Sequence, residues 1–422
     1  MKNRFQKINF IFLLSFVTYI PFQGLLQNFL EFNSSLSTSL IFWLSHWYEP
    51  ILLLFLILSL GSIRKFKNIR ISQKLTGLLI LLGIFSILFL SKSIGRGLEG
   101  FRFTLLGLII YLWTSLQNID HKLVKKLVNT YLVVAGLIAL WALIERALPH
   151  YYWSGWHVID PKTVFGYGWH NVAFVKQSAS VIGGPNQLAT YLLPAFFISI
   201  SRMVGHSKDL SKKTSFLYLV LSILFNLVIF LTFSRSAILA LLILLVVAAV
   251  SMLRNKWLKN YVITLVVALT LILVVVFSLK ENSIEIITHG RSQSEHATAM
   301  SVSLLEISSR LHHPVSLLFG AGLGTAGPLA LKYGEGIISE SWYLQLALEL
   351  GIAGLILWLA FIASILKELF KKYEFGLFFA LISVSIAAMF LHTFADNLAL
   401  TYTLFILIGL LLNNKTYEKN FN

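Results

Sequence analysis

The chain contains no cysteine among its 422 residues. That excludes disulfides, thiolate metal sites and cysteine nucleophiles. Charge is also scarce, at 12% Asp, Glu, Lys and Arg, so no segment is polar enough over a domain's length to fold as a soluble unit. The zinc-type spacings HxxxH and HExxH do not occur, and no short-period repeat is present. The first apolar run lacks a small-residue cleavage site, which predicts a retained helix rather than a removed leader.

What the chain has instead is apolar surface: 57% hydrophobic residues and a mean hydropathy of +0.79. This composition predicts an all-α polytopic membrane protein, one integral membrane domain over 1–422. Runs of spanning length predict about twelve transmembrane helices, at 8–30, 50–63, 75–92, 101–118, 127–147, 179–201, 215–233, 236–253, 261–279, 339–366, 375–393 and 397–413. Residues 31–49 mix Trp43, Trp47 and Tyr48 with Ser and Asn, as interfacial segments do.

Basic residues alternate between connections. Lys2, Arg4 and Lys7 share a side with the groups at 64–74, 122–126, 202–213, 254–259 and 367–372, and with Lys415 and Lys419. By the positive-inside rule that side is the cytoplasm, and both termini lie there. The net charge of +16 is then a matter of topology and of attraction to anionic membrane lipid. It gives no reason to expect nucleic acid as a partner.

This topology leaves two substantial outer connections, 148–178 and 280–338, the larger of which carries an amphipathic helix. Over 296–311, Met300, Leu304, Ile307 and Leu311 form one stripe, the pattern of a helix lying on the membrane or capping a cavity. His296 falls on that stripe and Arg310 about 40° from it. Arg291 is a further candidate cation just upstream. A glycine-rich turn follows at 320–328; with no strand before it, close backbone approach to a helix or to a ligand phosphate is expected rather than a dinucleotide fold.

Ser339 is the expected N-cap of the next helix. Glu340, Tyr343, Ala347 and Gly354 share one of its faces, where small residues admit a close neighbour. Glu340 at the outer mouth is a general-base candidate, with His296 second. Glu349, deeper and on the opposite side, is expected to tie helices together. Gly183-Gly184-Pro185-Asn186-Gln187 opens the sixth helix with exposed amides suited to an anion, and Lys176 stands just outside. In Thr232-Phe233-Ser234-Arg235-Ser236-Ala237, Arg235 lies between two apolar runs at an outer end, a costly position unless something anionic needs it. No cluster of carboxylates or histidines has the spacing of a metal site, and no cofactor is expected.

Four segments, in order and with this sidedness, resemble the O-antigen ligase and polymerase superfamily of membrane glycosyltransferases. They are Gly-Pro-Asn-Gln-Leu-Ala at 184–189, Thr-Phe-Ser-Arg-Ser-Ala at 232–237, Gly-Ala-Gly-Leu-Gly-Thr at 320–325, and Glu-Ser-Trp-Tyr-Leu-Gln-Leu-Ala-Leu-Glu-Leu-Gly-Ile-Ala-Gly at 340–354. The resemblance implies transfer of a glycan from a polyprenyl-diphosphate carrier to a glycan or lipid acceptor hydroxyl, on the outer face of the cytoplasmic membrane. It implies that Arg235, with Arg291 or Arg310, holds the diphosphate, as guanidinium forks can without a metal. Lys176, Asn186, Ser234 and Tyr343 are the accompanying substrate-binding candidates. The ligase branch has His-Asn where this chain has Glu340-Ser341, which favours a polymerase-type member over a ligase; a transporter of lipid-linked sugars is the competing class.

Overall fold

The computed structural model describes residues 2–60, 69–117, 119–147, 180–205, 212–251, 290–334 and 336–413. These are helical, with no strand among them. In chain order the helices are α1 (Lys2–Tyr19), α2 (Gln23–Asn33), α3 (Thr38–Ser45), α4 (Tyr48–Leu60), α5 (Ile71–Phe89), α6 (Ile94–Ser115), α7 (His121–Ala147), α8 (Pro185–Gly205), α9 (Lys212–Leu231) and α10 (Arg235–Ser251). After the larger loop begins come α11 (Gly290–Ser309), α12 (Pro314–Phe319), α13 (Pro328–Lys332), α14 (Trp342–Glu349), α15 (Gly351–Lys371), α16 (Phe375–Ala387), α17 (Thr393–Asp396) and α18 (Leu398–Asn413).

Among the described residues, five segments are long and apolar enough to cross a membrane: Lys7–Glu31, Ile71–Phe89, His121–Glu145, Lys213–Leu231 and Gly351–Lys371. Shorter apolar helices cover Arg235–Val247, Phe375–Ala387 and Leu398–Asn413. The expected run at 261–279 lies outside the described residues. Leu81, Leu88, Leu137, Phe216, Ile223, Val246 and Ile356 are exposed on the outside of the bundle. So much apolar surface on separate helices fits contact with lipid, not water.

Two expected helices are interrupted. The first apolar run breaks at a 3₁₀ turn, Ile20–Phe22, because Pro21 has no N–H to continue the ladder. The 339–366 run breaks at Gly351, whose φ is +69°; a side chain there would collide with the backbone of Leu318 and Phe319. A broken helix strands carbonyls that need donors. Here Ala321 N donates to Leu348 O at 2.9 Å and Gly322 N to Glu349 O at 3.1 Å, so the glycine-rich turn fills the break.

The helices share one apolar core, with α18 buried along nearly its whole length. α18 lies close against α6 because Gly107 and Gly409 leave room: side chains there would meet Phe405 and Thr401, or Thr114 and Ser115. The two ends of the bundle differ. At one, Arg70 donates to Ser115 O (3.0 Å), Asn9 to Gln117 (2.7 Å), Ser72 to Glu368 (2.8 Å) and Lys372 to Leu412 O (2.7 Å), and this end carries Lys74, Lys125, Lys126, Lys367 and Lys371. The other end gathers the loop helices: Arg96 donates to Gly324 O (2.9 Å), Lys332 to Glu99 (2.6 Å) and Arg102 to Glu49 (2.6 Å).

Candidate functional site at the loop end

Glu340 sits just before α14, not inside it. Its φ is +51°, a left-handed conformation that a non-glycine residue adopts at a cost of about 1–3 kcal/mol and that concentrates at functional positions. Ser341, not Ser339, holds the N-cap position, without a side-chain capping bond, and Ser339 Oγ donates to Ser341 O at 2.9 Å. The kink turns the Glu340 carboxylate to the loop helix, where Oε2 lies 3.1 Å from His296 Nδ1. This contact holds the Glu340 carboxyl below the ordinary carboxylate range, against partial burial that works the other way. Both side chains keep some accessible surface, so an ionised carboxylate stands at an open position.

The loop helix departs from its expected packing. Leu304 and Leu311, from the apolar stripe, are exposed at 55% and 63%. The face that packs inward carries His296, Ser303 and Arg310. The expected stripe therefore splits: Met300 and Ile307 are half-buried on the inward face beside these polar residues, while Leu304 and Leu311 are exposed together with Ser301, Ser308 and Ser309.

Behind Glu340 runs a buried polar chain. Glu349 is fully buried. Its carboxylate accepts from Thr104 Oγ1 at 3.0 Å, Gly324 N at 3.0 Å, Ala326 N at 3.4 Å and Gln345 Nε2 at 3.5 Å. It thus ties α14 to α6 and to the glycine-rich turn. Gln345 Oε1 lies 2.9 Å from His392 Nδ1. Gly327 makes this possible, since a side chain at its φ of +73° would strike the Gln345 amide.

The glycine-rich turn answers to the helix half of the expectation. Leu323 N donates to Ser86 Oγ and Gly327 N to Ile337 O, both at 2.9 Å, and the amides of 321, 322, 324 and 326 are used as above. Each of these amides donates within the protein, which leaves none of them for a phosphate. Arg310 is likewise committed: it is buried, donates to Leu348 O at 2.8 Å and reaches Glu306 through Nε and NH2 at 3.2 and 3.0 Å. It is the third donor at the helix break, and its fork is spent on the fold.

The other candidates divide as follows. Arg235 is exposed at the first turn of α10, after a tight corner in which Phe233 has φ +54°. A cation at a helix N-terminus opposes the helix dipole, a placement that an anionic ligand would offset. Ser234 is buried, its N–H donating to Thr232 Oγ1 at 3.1 Å. Asn186 is half-buried at the start of α8. Tyr343 donates to Ser385 O at 3.0 Å, fastening α14 to α16. Lys176 and the side chain of Arg291 lie outside the described residues. α10 packs on α16 and α8. α16 ends where Trp342 N donates to Ala388 O at 3.0 Å, and Gln187 of α8 donates to Asp396 at 3.2 Å.

Three participants went unmarked in the sequence: His392, Asp396 and Gln345. His392 is buried, and burial pushes its imidazole down to about 4. Asp396 is exposed and accepts from Gln187 Nε2 at 3.2 Å. The available signal was His392-Thr393-Phe394-Ala395-Asp396-Asn397, a polar interruption between apolar runs, with an i,i+4 His and Asp. Among the described residues, no group of three or more His, Asp or Glu is arranged to hold a metal. No protein-family model matches the chain, and no curated protein matches it.

Proposed function

We propose that this protein is a membrane glycosyltransferase, of the polymerase type, that moves a glycan from a polyprenyl-diphosphate carrier to an acceptor hydroxyl. The basic end of the bundle faces the cytoplasm, about twelve helices cross the membrane, and the reaction occurs at the outer, loop-bearing end. The observation that carries this reading is the Glu340 carboxylate, held ionised by His296 on a strained backbone at the end of the bundle that bears Arg235.

Glu340 takes the proton of the acceptor hydroxyl as its oxygen bonds to the anomeric carbon. The bond from that carbon to the diphosphate breaks, and the carrier diphosphate leaves with the electron pair. Arg235 and the N-terminal amides of α10 stabilise the charge that gathers on the leaving group. Because Arg310 is engaged in the fold, Arg291 or Lys176 is the better second cation. Asn186, Ser234 and Tyr343 shape the flanks of this site. Ligase transfer of finished polymer to a lipid or protein acceptor uses the same chemistry, and Glu340-Ser341 in place of His-Asn is what favours polymerisation.

The interrupted α14–α15 helix raises the transporter reading, since transporters place such breaks near the midplane. But α15 alone has 21 residues, about 31 Å of helix, and spans unaided. The break belongs to the outer end. Extraction of lipid-linked glycans from cells lacking the protein tests the reading: single repeat units should accumulate on the carrier, whereas a transporter defect would confine them to the cytoplasmic leaflet.

A further inference from the structure

His392, which lies beside the start of α14, has a tautomer that its surroundings define. Gln345 Nε2 points to the Glu349 carboxylate, which accepts from two amides and a hydroxyl. The opposite side of the same amide, Oε1, therefore meets His392 Nδ1 at 2.9 Å. An amide oxygen only accepts, so Nδ1 carries the proton and Nε2 presents a lone pair. Nε2 is buried and has no hydrogen-bond partner; neither has the buried Thr393 Oγ1 beside it in sequence. His392 is 5% exposed, and Trp342 N, two residues from Glu340, donates to Leu391 O next to it at 3.1 Å.

An unsatisfied buried acceptor is costly, and a built support that ends in one calls for a donor from elsewhere. The donor cannot be a phosphate or carboxylate anion, which brings no proton to Nε2. A hydroxyl group fits, and Thr393 Oγ1 can serve a second one. The geometry points to a neutral-sugar subsite in which His392 Nε2 accepts a hydrogen bond from a hydroxyl of the acceptor glycan, with Gln345 as positioning residue. This rests on the glycosyltransferase reading and adds that the acceptor is a polyhydroxyl ring. In it Glu340 takes the reacting hydroxyl while His392 holds a neighbouring one.

The test is direct binding to the full chain in lipid nanodiscs, read by intrinsic tryptophan fluorescence. The probes are the methyl glycosides of glucose, galactose, mannose, rhamnose and N-acetylglucosamine, with inorganic pyrophosphate as the anion. At least one glycoside should bind, and His392→Phe should weaken it by roughly three- to tenfold. His392→Gln, which restores an acceptor near the Nε2 position, should recover most of that loss. Gln345→Met, which frees the tautomer, should weaken binding without touching His392, and serves where His392→Phe does not fold. Pyrophosphate binding should fall in Arg235→Ala and not in the His392 variants. Binding of no glycoside, or glycoside binding indifferent to both His392→Phe and Gln345→Met, overturns the subsite. If glycosides bind as stated but lipid-linked glycan is never transferred, the glycosyltransferase reading fails and the subsite stands.

Discussion

His296 Nδ1 and Glu340 Oε2 meet at 3.1 Å across the junction between the loop helix and the kinked start of α14. The contact joins two segments about forty residues apart in sequence and leaves the carboxylate ionised and partly accessible. Replacing Glu340 by Gln keeps the shape and removes the basicity. Turnover should fall by about 10²–10⁴-fold with little change in donor binding. A variant of normal rate, alongside an inactive His296→Ala, would move the base to His296.

Arg235 offers a planar fork that a lysine cannot reproduce. Arg235→Lys should fold normally, as judged by its melting profile in detergent, yet lose most transfer activity. Near-normal activity in that variant would remove Arg235 from the diphosphate site. Arg310→Lys should behave in the opposite way, losing thermal stability because the guanidinium that joins Leu348 O to Glu306 is gone. Activity in the molecules that remain folded should persist.

The glycine-rich turn allows a controlled comparison. Gly322 (φ +98°) would place a side chain against the backbone of Leu90 and Ser91, whereas Gly183 (φ +106°) has nothing within 4 Å. Both Ala variants carry the same left-handed penalty of about 1–2 kcal/mol, but only Gly322→Ala adds overpacking, about 1–3 kcal/mol more. Chemical or thermal unfolding of the two reads the difference. Equal losses would mean that the turn does not press on α5.

Much of this was legible from pattern and some was not. Apolar run length anticipated the five described segments able to cross a membrane, while Arg235 and Glu340 stood out at the ends of apolar runs and His296 by its place on the loop-helix stripe. The Gly351 break was hidden because Leu350-Gly351-Ile352 reads as continuous apolar helix; only the loop folding back against it reveals the φ of +69°. Arg310 misled for a related reason: one helix's pattern cannot show that a distant helix end will need its guanidinium. His392 was absorbed into the end of an apolar run, and its importance comes from Gln345, 47 residues away.

Burial lowers the His392 imidazole from 6.5 to about 4. Between those values the unfolded chain binds the extra proton, so stability is full above about pH 6.5 and declines as pH falls towards 4. His46, also lowered to about 4 by burial and by Arg102, contributes a loss in the same direction. His392→Gln should therefore flatten the acid limb of melting temperature against pH without abolishing it. An unchanged slope would place a charged imidazole at His392 in the folded protein.

The central claim is transfer from a diphosphate carrier at the Arg235 and Glu340 end. Its most direct measurement is purified protein in nanodiscs, supplied with lipid-linked repeat units from cells lacking it, in the presence of a chelator, with carrier-linked products resolved by mass spectrometry. Elongated carrier-linked chains should form with the wild-type protein, and neither Arg235→Lys nor Glu340→Gln should form them at a comparable rate. Repeat units that stay unextended with the wild-type protein, or elongation that only added metal restores, would contradict the account.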